Sequence, residues 1–251
     1  MDQLSKDRLT VRLNEVDSTN SYMKELVESQ HPEEGSLVMA DYQTVGRGQA
    51  GNTWISSKGD NLLFSLLIYP RQVPAKEQFV ISKMASLAIK NTLDQFVDDI
   101  RIKWPNDIYW KDKKIAGILI ESDIQGNQIE HSIIGAGINL NQREFPPELP
   151  NPVSLRQITG TEYDRVYVLN IFMREFFLLY RELQRGEQQI IDDEYMLDLY
   201  RVNGYHLFED ANGQFKAKID RILPSGHLVL RTFETDEERV YAFKEVKFLD
   251  E

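Results

Sequence analysis

The sequence predicts an α+β fold: a mixed β-sheet backed by helices over residues 1–200, then a small all-β barrel of about five strands over residues 201–251. Three observations carry this expectation. Strand-like apolar runs come in meanders, with helix-periodic stretches between them. Helical periodicity ends before Asn203-Gly204, and only short strand-like runs follow, with turns at Ala211-Asn212-Gly213 and Pro224-Ser225-Gly226. A chain of 251 residues, 41% of them hydrophobic, suffices for one large core and a small appendage.

Residues 11–16 read as a strand, and Ser18-Thr19-Asn20 offers N-cap side chains for a helix through about Glu28. A strand over 36–42 leads into a polar, glycine-containing loop over 43–60. The run NLLFSLLIY at 61–69 is a buried strand. Over 77–96, Ile81, Ala85, Ile89, Leu93 and Phe96 recur at spacings of three and four, a helical stripe that Val80, Met84 and Leu87 widen. Strands are expected near 100–104, 108–111, 115–121 and 129–138, with hairpin turns at 111–114 and 125–128. After a Pro-rich connection at 145–152, Asp164 caps a long helix striped by Val168, Phe172, Phe176, Leu179 and Leu183. A second helix is expected over 189–200.

Composition narrows the chemistry. There is no cysteine, which excludes disulfides, thiolate metal sites and every thiol nucleophile. The four histidines (His31, His131, His206, His227) show no metal-ligand spacing, so no metal site is expected. A formal charge of −11 argues against broad nucleic-acid binding, which needs phosphate neutralisation. No apolar run is long enough to span a membrane, and the N-terminus lacks a signal-peptide apolar core. Together with the missing cysteines, this points to a cytoplasmic protein.

Two segments stand out. Gly46, Gly48, Gly51 and Gly59 crowd into one stretch, around Gly46-Arg47-Gly48-Gln49-Ala50-Gly51-Asn52-Thr53-Trp54. Glycines let backbone N–H groups approach a ligand closely, an arginine adds a planar donor fork, and a tryptophan can close over apolar matter. A surface hairpin accounts for the glycines but not for the Arg and Trp among them. The loop is no Walker A motif, because no Gly-Lys-Ser/Thr follows. Gly135-Ala136-Gly137-Ile138-Asn139 begins like a dinucleotide fingerprint but lacks the third glycine and the following helix. The second segment is Lys103-Trp104-Pro105-Asn106-Asp107, followed by Lys114-Ile115-Ala116-Gly117. A carboxylate and a lysine at neighbouring strand ends can bracket a phosphate and a nucleophilic amine. A turn Asn-Asp pair with solvated lysines is the competing reading.

Taken in order, these segments resemble the biotin protein ligases, strongly over residues 11–141 and more weakly beyond. The resemblance implies a class II synthetase-like catalytic domain followed by an SH3-like barrel. It implies a two-step reaction: biotin and Mg·ATP give biotinyl-5′-AMP, and a lysine of a biotin carboxyl carrier domain then takes the biotinyl group. By the same resemblance, Ser18, Thr19, Asn20, Gln43, Gly46, Arg47, Gly48, Lys114, Gly117, Gly135 and Gly137 match biotin-binding positions. Arg47, Gln49, Trp54, Asn106, Lys114 and Asn139 match ATP or adenylate positions. Arg47, Lys114 and Asp107 match the catalytic groups, with Asp107 serving the acceptor lysine. Magnesium would travel with the ATP phosphates.

Gln49, Ala50 and Asn52 stand where many relatives carry arginines, so less positive charge is expected to retain the adenylate. No DNA-reading segment precedes the first strand, so the ligase–repressor form is not expected. A homodimer through the strand carrying Gly135–Asn139 is compatible with the resemblance. The alternatives are a lipoate ligase-like acyl-adenylate enzyme and a non-catalytic, degenerate biotin-binding ligase.

Overall fold

The computed structural model describes residues 8–249. Residues 1–7, read above for a signal peptide, and residues 250–251, at the end of the expected second domain, lie outside them.

The first sheet has seven strands: β1 (Thr10–Leu13), β2 (Leu37–Ala40), β3 (Leu62–Ile68), β4 (Ile100–Lys103), β5 (Asp107–Trp110), β6 (Lys113–Gln125) and β7 (Gln128–Ile138). Their spatial order is β1-β2-β3-β7-β6-β5-β4. The β1–β2 pair is parallel and the other pairs are antiparallel, so the sheet is mixed as expected. Among the described residues five α-helices accompany it: α1 (Thr19–Gln30), α2 (Phe79–Leu93), α3 (Leu155–Thr159), α4 (Arg165–Gln184) and α5 (Gln188–Leu197). None of the described helices is long and apolar enough to cross a membrane.

One face of the sheet is packed by α2 and α4. Ile81, Met84, Ala85, Ile89, Phe172 and Phe176 meet Phe64, Ile108, Ile134 and Ile138 in one continuous buried core. This contact removes the α2 and α4 stripes from water, at about 25 cal/mol per Å2 of apolar surface. The opposite face is only partly covered by α1, whose Met23 and Leu26 pack on Val38, Leu67 and Ile133.

Capping follows the expectation in one case and departs from it in another. Asp164 accepts hydrogen bonds from the Val166 and Tyr167 N–H groups at the start of α4. Ser18 occupies the N-cap of α1, but its side chain makes no capping bond. The short helix α3 was not anticipated. It follows the Pro-rich connection at 145–152, in a stretch given no element, and begins with a reciprocal capping box between Ser154 and Gln157.

The C-terminal strands β8 (His206–Asp210), β9 (Gly213–Ile222), β10 (Leu228–Thr232), β11 (Glu238–Tyr241) and β12 (Lys247–Phe248) form a second, antiparallel sheet. Its order is β11-β10-β9-β8-β12, and among the described residues no ladder closes β12 onto β11. The number of strands is as expected. Among the described residues the unit is a five-stranded antiparallel sheet whose two-residue β12 pairs with β8, a small C-terminal β unit as expected.

The two sheets are joined by specific contacts. The chain after α5 runs along the free edge of β4: Ile102 N–H donates to Asp198 O, and Tyr200 N–H donates to Ile102 O. This satisfies an edge that would otherwise offer unpaired backbone groups. Buried Trp104, just past β4, donates its indole N–H to Gly226 O at 2.8 Å and packs edge-on against Phe243. Trp104→Phe keeps an aromatic ring but removes the donor and part of the buried indole, and leaves the Gly226 carbonyl short of a partner. It is expected to cost about 1–2 kcal/mol in urea unfolding and to raise amide exchange along β10. An unchanged midpoint and unchanged exchange would show that this bond does not secure the second sheet.

Candidate functional site

The half-open face of the first sheet holds a cavity of about 640 Å3. Its floor is made by missing side chains. Side chains alternate along a strand, so Gly135 and Gly137 of β7 face the cavity while Ile134, Ala136 and Ile138 face the core. A Cβ on Gly137 would lie 2.4 Å from the Trp54 indole, and one on Gly135 would lie 2.2 Å from Asn20 Oδ1. Gly117 of β6 pairs with Gly137 and extends the same floor.

Lys114 reaches this floor through an irregularity. Strict alternation along β6 would put Lys114 and Gly117 on opposite faces. The β5–β6 register shifts, so that Ile108 pairs with Ala116 while Tyr109 pairs with Lys114, leaving Ile115 as an extra residue. This β-bulge turns Lys114 onto the face that carries Gly117 and Asp107. Its backbone is held on both sides, by Lys114 N–H to Asn151 O and Val153 N–H to Lys114 O. The Lys114 ammonium lies 2.7 Å from Asp107 Oδ1 and 5.6 Å from the centre of the Trp54 ring.

The glycine-rich loop closes on itself. Arg47 bridges Thr53, Gly48 N–H donates to Asn52 O, and residues Gln49–Gly51 form a 3-10 turn between them. It is thus a small hairpin, and it carries its Arg and Trp into the site. The Arg47 guanidinium forks onto both oxygens of Glu121, at 2.9 and 2.7 Å. Trp54 lies over Gly117 and Gly137 with its indole N–H buried and without a hydrogen-bond partner; Gln49 Oε1 is in the same state. Such buried orphan groups carry a desolvation cost that a ligand polar atom would relieve.

At the other end, the Thr19 N–H and hydroxyl both donate to Gln43 Oε1, at 2.8 and 3.0 Å. Asn20 donates to Leu119 O and to Glu121 Oε2, and its Oδ1 accepts from the Ser65 hydroxyl. Asn106 donates to Ile118 O at 2.6 Å, tying the Trp104–Asp107 turn to β6.

The structure therefore brings Ser18, Thr19, Asn20, Gln43, Arg47, Gly48, Gln49, Trp54, Asn106, Asp107, Lys114, Gly117, Gly135 and Gly137 to one cavity. Gly46 lies just behind the wall, where a Cβ would meet Trp54 O at 2.4 Å. Asn139 is placed differently. It is buried outside the lining, with its amide nitrogen donating to Lys114 O and Val153 O, and its Oδ1 buried without a hydrogen-bond partner.

Sequence reasoning missed one wall altogether. Phe243, Lys244 and Val246, in the turn after β11, and Lys247 and Phe248 of β12 line the cavity, although nothing in residues 205–251 marked them. Lys103 lines it too. Its ammonium is bonded to the Tyr109 hydroxyl and faces the rings of Tyr109, Tyr200 and Phe248 at 4.6–5.7 Å. Burial, and then its hydrogen bond to Asp112, push the Tyr200 hydroxyl up to about 12, so it stays neutral beside that lysine.

The lining residues carry five cations (Arg47, Lys103, Lys114, Lys244, Lys247) against one carboxylate, Asp107. On a chain of net charge −11 this is a local reversal of sign, the field expected for an anionic ligand. Among the described residues, no group of three or more His, Cys, Asp or Glu is placed to hold a metal ion.

The chain thus combines a mixed sheet with a glycine-floored cavity and a flanking loop that carries Arg47 and Trp54. Residues 13–139 match the Biotin/lipoate A/B protein ligase family, and the chain belongs to it. Its relatives are biotin ligases. It is 35% identical to the bifunctional ligase/repressor BirA of Bacillus spizizenii, over 66% of this chain and 52% of that one. It is 26% identical to the biotin–[acetyl-CoA-carboxylase] ligase of Mycobacterium tuberculosis, over 63% of this chain and 59% of that one. The chain thus spans about half the length of the curated relatives it matches. In fold, it is similar to the biotin protein ligase of Aquifex aeolicus in complex with biotin and ATP. The TM-score is 0.79 at 24% identity, covering 96% of this chain and 99% of that one.

Gly137→Ala tests the floor. The added methyl must expel the Trp54 indole, so tryptophan emission is expected to shift to the red while the fold persists. The shift should be absent when the same change is made with Trp54→Phe. Unaltered emission in Gly137→Ala would mean that Trp54 does not rest on the floor.

Proposed function

We propose that the chain activates biotin with ATP to give biotinyl-5′-AMP and pyrophosphate, then passes the biotinyl group to a lysine of a biotin carboxyl carrier domain. The observation that carries this reading is the cationic cavity on an acidic chain, with Arg47 and Lys114 beside a glycine floor. Its volume is in the ordinary range for small-molecule sites, about 300–1,000 Å3.

The first step joins two anions. A biotin carboxylate oxygen attacks the α-phosphorus, the bond to the bridging oxygen breaks, and pyrophosphate leaves. Arg47 and Lys114 offset the negative charge that gathers on the α-phosphate. The polar end formed by Thr19, Asn20 and Gln43 supports recognition of a ring with donors and acceptors. The Trp54 indole, with its N–H unpaired, is suited to stack on the adenylate. Magnesium would enter as part of Mg·ATP, held by the phosphates and water, since the described residues offer it no carboxylate cage.

In the second step a neutral amine attacks the acyl carbon and AMP leaves. An unperturbed lysine, with a pKa of about 10.4, is almost fully protonated near neutrality, so a base must take its proton. Asp107 is suited to this, and its pairing with Lys114 orders the two steps. While Lys114 pairs with Asp107 Oδ1, it competes with an acceptor amine for the carboxylate. Once the phosphate draws Lys114 away, the carboxylate is open to the incoming lysine. The second sheet's wall and residues 1–200 act as one unit in this reading, because the cavity lies between them.

Pyrophosphate exchange tests the assignment: label should enter ATP with biotin present and not with lipoate. Exchange with lipoate alone would favour the lipoate ligase-like alternative, and exchange with neither would favour a binding module. Lys114→Ala is expected to cut exchange by at least a hundredfold at unchanged melting temperature, and near-wild-type exchange would refute its role. Asp107→Ala should slow transfer from preformed biotinyl-AMP about tenfold or more beyond its effect on exchange. Equal losses in both half-reactions would refute proton acceptance by Asp107.

A further inference from the structure

Glu121 was not marked by any sequence pattern, yet it organises one end of the site. It projects from β6 on the same face as Gly117 and Leu119, just outside the cavity lining. Its two oxygens fill the Arg47 fork, and one of them also accepts from the Asn20 amide at 2.8 Å. Asn20 is itself buried and held by the Ser65 hydroxyl and by Leu119 O. A rigid chain from β3 through α1 thus fixes a carboxylate against the side chain of a residue in the glycine loop. Within that loop the other bonds run internally, from Gly48 to Asn52 and from Trp54 to Gly46.

We propose that Glu121 is a placeholder anion. In the ligand-free protein it occupies the Arg47 guanidinium, and it yields that guanidinium to the carboxylate of the incoming substrate. Three features support exchange over a permanent partnership. A carboxylate held by both oxygens is the geometry in which an arginine fork recognises any carboxylate, so Glu121 mimics the ligand group it precedes. The pair is about 40% exposed on both sides, where water and salt keep such pairs weak and readily broken. After release, Glu121 is not orphaned, because the Asn20 amide still donates to it. The device keeps the loop tethered while the site is empty and sets a threshold: a neutral analogue has no anion to offer in exchange. This rests on the reading of the cavity as a biotin site, and it assigns Glu121 to selection for a carboxylate-bearing ligand.

The test compares wild type with Glu121→Gln, which keeps the shape and an acceptor for Asn20 but removes the charge. Glu121→Ala serves as a second variant, and circular dichroism checks the fold. Trypsin needs a free arginine side chain, so cleavage at the Arg47–Gly48 bond in ligand-free protein should speed up at least threefold in both variants. By calorimetry, biotin should bind the Gln variant at least threefold more tightly, because its competitor is gone. Biotin methyl ester, which lacks the carboxylate, should bind both proteins alike. Unchanged cleavage, weaker biotin binding or an equal shift for the ester would each overturn the placeholder. Weaker biotin binding would instead make Glu121 a permanent orienting partner of Arg47. If wild type binds no biotin at all, the biotin reading fails and takes the exchange with it. If biotin binds and the Gln variant does not tighten, only the placeholder fails.

Discussion

A mostly antiparallel sheet can pack one face on a core and leave the other open, and everything else in this molecule follows from how the second face of its central strands is left partly uncovered. The core face of β3, β7 and β6 is filled by α2 and α4. On the other face, α1 covers only part, and at Gly117, Gly135 and Gly137 the strands present bare backbone. A flat depression on a rigid sheet results, deep enough for a ligand to meet the backbone. The glycine loop, the bulge at Ile115 and the second sheet are arranged around its rim. Trp54 lies in it and covers apolar backbone that would otherwise be wet.

Electrostatics are arranged on the same rim. Arg47 and Lys114, the two cations nearest the floor, are each matched with a carboxylate of the chain, Glu121 and Asp107. Pairing limits the cost of holding two positive charges in a half-enclosed space. The partners differ in what they do next. Asp107 lies within the cavity lining and Glu121 outside it; under the proposals above, release of the first would expose a base to the site, and release of the second would only free a donor.

The regular elements were legible because period and punctuation are local. The α2 and α4 stripes, the apolar run of β3 and the turns around Gly126 and Gly213 all declare themselves within a few residues. The helix α3 was hidden because five residues hold too little periodicity to stand out after a Pro-rich connection. The site residues were legible as motifs, since glycine spacing and the Lys103–Asp107 run are unusual in themselves. Asn139 shows the limit of that approach: the motif marks the residue, and only the packing shows its amide nitrogen donating to the Lys114 and Val153 carbonyls.

By itself, the sequence determined the mixed sheet backed by helices, the small β unit after it, the absence of thiol chemistry and the two segments that carry the charged groups. All of these depend on local pattern or composition. The tertiary structure decided three things that join residues far apart in the chain. The bulge at Ile115 put Lys114 on the same face as Asp107 and Gly117, against strict alternation. The C-terminal β unit supplied a wall of Phe243, Val246 and Phe248 with two lysines. Glu121 met Arg47 across 74 residues. Side-chain facing along a strand depends on register, and register is set by the partner strand, so no reading of β6 alone could have found the site it builds.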